Sequence, residues 1–260
     1  GGTAVPANGQ WTFASVRSFA EGTYQVQATA EDEAGIVSAR SAEAALVIDR
    51  TPPAAPSVSS ASLQNTSRPS LAGRSEASAA IEVYRAASLI GSGSSGTDGG
   101  WALTVSAPLA DGEHQLEIRA VDAAGNRSAP RATDIRIDTT APVRPILDPV
   151  SPYQNKARPE FSGTAESGAR VVLQEGAVEI GRATAGTDGT WRVTAGADLA
   201  DGRHSVSAVA IDEAGNRSPV TVVVSYDIDT VPPAAPAFSA TREYASSRPV
   251  ISGTGEVGIT

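Results

Sequence analysis

Acidic side chains recur through this chain at fixed spacing, and they are the residues best placed to do chemistry. Asp49, Glu76 and Asp122 are followed about ninety residues later by Asp138, Glu166 and Asp212, and Asp229 and Glu256 open a third set. Converging carboxylates would suit a hard cation such as Ca²⁺, which takes oxygen ligands. Pairs of acids can also cleave glycosides, but here every copy carries the same acids, which is the behaviour of architecture. The only two histidines, His114 and His204, lie one period apart. Catalysis by either needs a nucleophile or carboxylate partner kept in both copies. Tyr24 fills the same slot in an earlier copy, which favours a corner residue that packs and donates one hydrogen bond. The glycine-rich stretch GSGSSGTDGG at 91–100 has no lysine and no following helix, so a phosphate loop is excluded. Trp101 and Trp191 begin strands on their inward faces and read as core anchors. No base-plus-nucleophile set remains, and the chain reads as non-enzymatic.

Composition narrows the partners. Across 260 residues the net charge is −9, against the clustered lysine and arginine that a phosphate backbone requires, so no nucleic acid is expected. There is no cysteine, which removes disulfides, thiol catalysis and thiolate metal sites. No run approaches the roughly 18 apolar residues of a membrane span, so no membrane insertion is expected of this segment. The absence of methionine leads us to expect an interior piece of a longer protein. Hydrophobic residues make up 40% but aromatics only 5%, so the cores must be small and repeated.

The elements that position these residues follow from the repeat. LADGEHQLEIRAVDAAGNRSAP begins at Leu109, LADGRHSVSAVAIDEAGNRSP at Leu199, and a weaker copy, FAEGTYQVQATAEDEAGIVSA, at Phe19. The linkers DRTPPAAP, DTTAPVRP and DTVPPAAP start at Asp49, Asp138 and Asp229, and RPSLAG, RPEFSG and RPVISG start at Arg68, Arg158 and Arg248. TDGGW ends at Trp101 and TDGTW at Trp191, with Trp11 in the corresponding earlier place. One period of about ninety residues fits every landmark. Residues 1–49 are then the second half of one domain, 50–138 and 139–229 two complete domains, and 230–260 the opening of a fourth.

Within a unit the apolar residues alternate, as in half-buried strands. Leu116, Ile118 and Ala120 are interleaved with Gln115, Glu117 and Arg119, and Trp101, Leu103 and Val105 with Ala102 and Thr104. Gly, Asp, Asn and Ser clusters punctuate these runs, and no stretch sustains helical spacing with caps. About seven short strands per unit predict an all-β sandwich. Gly125 and Gly215 are expected to supply positive φ in the AAGNRS and EAGNRS hairpins, where Asp122 and Asn126 can bond local backbone. The path from Gly125 to Asp138 is one residue shorter than the paths from Gly35 to Asp49 and from Gly215 to Asp229. The last strand of the middle unit should therefore lack one residue, as a missing bulge or tighter hairpin near Pro130.

The Asp-x-Thr-Pro-Pro linker, the Gly163–Gly168 stretch GTAESG, TDGTW and IDEAGNRS resemble bacterial Ig-like repeats, which form the stalks of large secreted adhesins. The strand around Tyr24 also resembles strand F of fibronectin type III domains, where a tyrosine anchors the corner; His114 and His204 depart from that pattern. The resemblance implies tandem Ig-like β-sandwich domains of about 90 residues in an extended array. It also implies a stalk or spacer role on a secreted or bacterial cell-surface protein, in adhesion and biofilm settings. The partners are then neighbouring repeats of the same chain, with a host-cell or surface receptor bound by regions outside this segment. Traced as an Ig sandwich, Asp49, Glu76 and Asp122 should meet at one junction and Asp138, Glu166 and Asp212 at the next, with Asp229 and Glu256 beginning a third. The resemblance implies interdomain Ca²⁺ there; the residues themselves fit equally well as caps of their own turns. The rival functions are ligand-binding, lectin-like modules or accessory domains of a secreted carbohydrate-active enzyme. A lectin predicts loops that differ between copies, or exposed aromatics in them, and neither is seen.

Overall fold

A computed structural model of the chain describes residues 10–239, 247, 248 and 250–257. Parts of the expected first and fourth domains therefore lie outside the described residues. The chain divides into two compact units, Gly1–Thr139 and Thr140–Thr260.

The first unit contains β1 (Gly22–Val26), β2 (Ala44–Ile48), β3 (Ser57–Val58), β4 (Leu63–Gln64), β5 (Ser70–Arg74), β6 (Ala80–Arg85), β7 (Ser88–Ser94), β8 (Gly100–Thr104), β9 (Gly112–Val121) and β10 (Arg131–Ile137). β1 and β2 form a two-stranded antiparallel sheet. The remaining strands make a sandwich from a sheet ordered β4-β10-β9-β6-β7 and a sheet ordered β3-β5-β8. The second unit repeats it with β11 (Ile146–Leu147), β12 (Tyr153–Gln154), β13 (Glu160–Thr164), β14 (Arg170–Glu175), β15 (Val178–Thr184), β16 (Thr190–Thr194), β17 (Gly202–Ile211) and β18 (Val224–Ile228). Its sheets are ordered β12-β18-β17-β14-β15 and β11-β13-β16. A short pair, β19 (Ala237–Phe238) and β20 (Gly253–Thr254), follows.

Each sandwich has eight strand segments rather than seven, because the first strand is broken. Its opening piece, β3 or β11, pairs antiparallel with β5 or β13. After a short break the chain crosses to the other sheet, where β4 or β12 pairs parallel with the last strand. One strand thus closes both sheets at the same edge, a split that a period-two pattern does not encode.

The cores follow the alternation. Leu71, Ile81, Val83, Leu116, Ile118 and Ile137 are fully buried in the first sandwich; Phe161, Val171, Leu173, Val206, Ala208 and Ile228 are their counterparts in the second. Trp101 and Trp191 are buried in equivalent places. Trp11, in the first copy, where two strands are described, is 58% exposed. The second sandwich departs in one respect. Ser207, Val209 and Ile211 on the outward face of β17 are buried as well, and Val209 and Ile211 cluster with Val172. The first sandwich carries Arg119 and Val121 at the positions of Val209 and Ile211, and Glu82 at that of Val172.

The missing residue is where the spacing puts it. Just past the hairpin, the Ser38, Ser128 and Ser218 N–H groups donate to the carbonyls of Ala30, Ala120 and Ala210. In the first and third copies a second irregularity follows, with Ser41 N–H bonding Ala28 and Thr221 N–H bonding Ala208. The regular ladder resumes only at Val26↔Ala44 and Val206↔Val224. In the middle copy Ile118 already pairs with Arg131, and the second irregularity is gone.

Candidate functional site

The recurrent acids sit at turns and linkers. Asp122 follows β9, and its Oδ1 accepts hydrogen bonds from the N–H groups of Ala124 and Asn126, both at 2.9 Å. Its Oδ2 accepts from Asn126 Nδ2 at 2.9 Å. Gly125 has φ 91° and Gly215 φ 93°, values that cost an L-residue with a Cβ but not glycine. Asp212 repeats the cap, with Asn216 N–H at 2.8 Å and Asn216 Nδ2 at 2.9 Å, and Asp32 caps the first copy through Ala34 and Ile36. The Asn126 carboxamide, followed by the turn's backbone N–H groups, holds the Asp122 carboxyl below the usual carboxylate range.

The remaining predicted ligands are placed in similar ways. Asp49 Oδ1 accepts from Thr51 N–H at 2.9 Å, Asp229 Oδ1 from Val231 N–H at 3.1 Å, and Glu256 Oε2 from Ala234 N–H at 3.1 Å. Glu76 and Glu166 enter their turns through main-chain carbonyls, which accept from Ser95 Oγ and from Ala169 N–H respectively. Asp138 donates its N–H to the Gln64 carbonyl at 3.0 Å, and its carboxylate lies 3.7 Å from Arg136. Among the described residues no three His, Asp or Glu side chains gather as ligands for a metal ion. What the first unit does bring together is the linker and the hairpin, because Asn126 Nδ2 also donates to the Asp49 carbonyl at 3.1 Å.

A second set of acids escaped the sequence reading. Asp111 Oδ1 accepts from both the N–H and the hydroxyl of Thr139, at 3.1 and 2.7 Å. Asp201 does the same to Thr230, at 3.1 and 2.8 Å. In the first copy Glu21 Oε1 accepts from Arg50 N–H and Thr51 Oγ1, both at 2.8 Å. Those bonds, the Arg50 backbone one first, lower the Glu21 pKa. The acid of each LADG or FAEG turn therefore clamps the chain as it leaves the last strand. The signal was present, since the acid and the threonine after the linker Asp both recur.

The corner residues behave as expected. Tyr24 Oη donates to the Ala20 carbonyl at 3.1 Å, and the Nε2 atoms of His114 and His204 bond the carbonyls of Ala110 and Ala200 at 2.7 and 2.8 Å. His204 Nδ1 also lies 3.2 Å from Glu175 Oε2. The Ala200 bond raises the His204 pKa above its usual value, and Glu175 adds to it against the opposing effect of burial. Stacked beside His204, the Tyr226 ring is 1% exposed, and burial pushes its hydroxyl up to about 12. These groups brace a corner; none of them is a nucleophile activated by a base.

Two further contacts account for recurrent letters. The hydroxyls of Ser128 and Ser218 accept the N–H groups of Ala120 and Ala210, at 3.0 and 2.9 Å, while donating to the next carbonyl in their own strand. They supply the acceptor that the irregular ladder lacks there. Gly73 and Gly163 end the RPSLAG and RPEFSG motifs. A Cβ on Gly163 would lie 2.0 Å from the Ile146 carbonyl oxygen and 2.7 Å from the Trp191 ring, and Gly73 is equally crowded by Ser57 and Trp101.

This sandwich is similar to several solved structures. Fibronectin(III)-like modules of Clostridium thermocellum CbhA are 17% identical over 66% of this chain and 93% of theirs, with a TM-score of 0.47. A tetra-tandem repeat from the extending region of a large adhesion protein is 26% identical over 91% of this chain and 64% of its own, with a TM-score of 0.31. The BSP domain of a biofilm-associated protein is 18% identical over 68% of this chain and 30% of its own, with a TM-score of 0.29. No curated protein matches. The sequence pattern of the bacterial Ig-like domain matches residues 1–50, 57–139 and 151–230, and the chain belongs to that family.

Proposed function

We propose that this chain is a spacer: a run of sandwiches that sets the distance between a cell or secreted-protein anchor and a binding region elsewhere in the same protein. One observation carries the reading. The hairpin Asp, the corner Tyr or His and the acid of the LADG or FAEG turn are engaged in turns, corners and linker clamps in each described copy, so what is repeated is the means of building and joining domains. A spacer needs those and no active site. Its setting is extracellular, on a bacterial surface or secreted protein, and its immediate partners are the repeats on either side. If each unit runs along one strand direction it adds roughly 40 Å of reach.

The test is an exchange made in the whole protein. Residues 50–138 are replaced by an unrelated sandwich of the same length, or deleted. A spacer tolerates the exchange and loses reach on deletion. Loss of binding on exchange alone would identify these residues as a ligand-binding module, as would sugar binding by the isolated 260-residue chain.

Calcium at the junctions is a second reading, favoured by the recurrence of Asp49, Glu76 and Asp122 as Asp138, Glu166 and Asp212 and, in part, as Asp229 and Glu256. It requires carboxylates to exchange their turn hydrogen bonds for a cation.

A further inference from the structure

We infer that the Asn126 carboxamide is a latch that fixes the linker ahead of the first complete sandwich, closing that joint with hydrogen bonds. The inference deepens the spacer reading, because a spacer's reach depends on the stiffness of its joints.

Asn126 Nδ2 has two hydrogens and two partners: Asp122 Oδ2 at 2.9 Å and the Asp49 carbonyl at 3.1 Å. The first bond orients the amide so that the second hydrogen points at the linker, and the Asp122 carboxylate is itself fixed by two backbone N–H groups of the hairpin. The donor is therefore preorganised on a rigid turn. From the other side, Glu21 Oε1 holds Arg50 N–H and Thr51 Oγ1 at 2.8 Å, and Asp49 Oδ1 holds Thr51 N–H at 2.9 Å. Residue 49 is thus gripped by the following sandwich, residue 50 by the FAEG turn ahead of β1, and residue 51 by that turn and by Asp49. Pro52 and Pro53 come next, with φ already restricted by their rings. No rotatable stretch of linker is left ungripped between β2 and the first proline.

The latch uses a main-chain acceptor on the linker, so only the hairpin must supply a special side chain. Asn216 is the residue at the corresponding position in the next copy. Ile36 occupies the position in the first copy and has no side-chain donor, yet its N–H still bonds Asp32 at 2.9 Å and the hairpin forms. Asn126→Ile is therefore a substitution that this hairpin geometry accepts.

The chain has no cysteine, so spin labels on Val47→Cys and Leu89→Cys report the joint in the 260-residue chain. Both sites are exposed, at 63% and 52%. The label–label distance distribution is expected to be narrow in the parent. Asn126→Ile is expected to raise the population outside the parent peak about fivefold, the worth of one ordinary hydrogen bond. Asn216→Ile, which loses the matching contact to Asp212 in the second unit, is expected to leave this distribution unchanged. Calcium and chelator are expected to leave the parent unchanged too. A broad parent distribution, an unaltered one in Asn126→Ile, or narrowing only on addition of Ca²⁺ overturns the latch. A tryptophan-fluorescence melt shows that each variant is folded. The domain exchange tests the spacer reading separately, so either idea can fail without the other.

Discussion

At the scale of single residues, the recurrent polar groups are fastened to backbone. The serine hydroxyls of the AAGNRS and EAGNRS hairpins are a clear case. Ser128 and Ser218 are 2% and 7% exposed, and each accepts a strand N–H that has no carbonyl opposite it. Ser218→Ala leaves the Ala210 N–H buried without a partner, at a cost of about 1–3 kcal/mol. Urea denaturation of the full chain should show that loss in the transition of the second sandwich, and an unchanged midpoint would refute the role. His204 gives a pH prediction. Its pKa is raised in the folded state, so its stabilisation is complete below the usual histidine range and is lost as pH rises through the folded value. The second sandwich should therefore melt at lower temperature at about pH 8 than at about pH 5.5, a range in which carboxylates are already ionised. His204→Tyr copies Tyr24 and should flatten the dependence. An equally steep dependence in that variant would assign it to other groups.

Strands and turns are where backbone proximity dictates sequence. The glycine ending RPSLAG and RPEFSG is set by close approach, since the first strand's carbonyl and the tryptophan ring occupy the space a Cβ needs. Gly163→Ala must push β11 or Trp191 aside, and overpacking of this kind costs about 1–3 kcal/mol. Tryptophan emission during thermal unfolding checks it; a melt matching the parent would mean that β11 yields freely. The last strand shows the same dependence on local count. One residue fewer after Gly125 removes one irregularity and brings β10 into register with β9 two residues sooner than β18 with β17.

For the whole molecule, the contest is between joints closed by hydrogen bonds and joints closed by metal. Binding to the native state alone raises stability by mass action, so calcium at the junctions should raise the melting temperature relative to chelator. Acids committed to turns should leave it unchanged. We expect no change, because the Asp122 and Asp212 carboxylates are bonded within their own hairpins. A clear rise, abolished by Asp138→Ala with Asp212→Ala, would reverse that expectation.

What the sequence determined by itself is local. The ninety-residue period, the alternation of Leu116, Ile118 and Ala120, the positive-φ glycines and the corner residues all depend on neighbours a few positions away or on their own repetition. The missing residue of β10 was legible for the same reason, as a difference in count between copies. Tertiary structure alone decided which polar groups meet across the chain. Asp111 and Asp201 reach threonines 28 and 29 residues onward, and Asn126 reaches an Asp49 carbonyl 77 residues back. Such contacts depend on strand register and on how the broken first strand crosses between sheets, and side-chain type alone fixes neither. Only the folded chain shows that the carboxylates of Asp49, Asp122, Asp212, Asp229 and Glu256 accept hydrogen bonds from nearby backbone N–H groups.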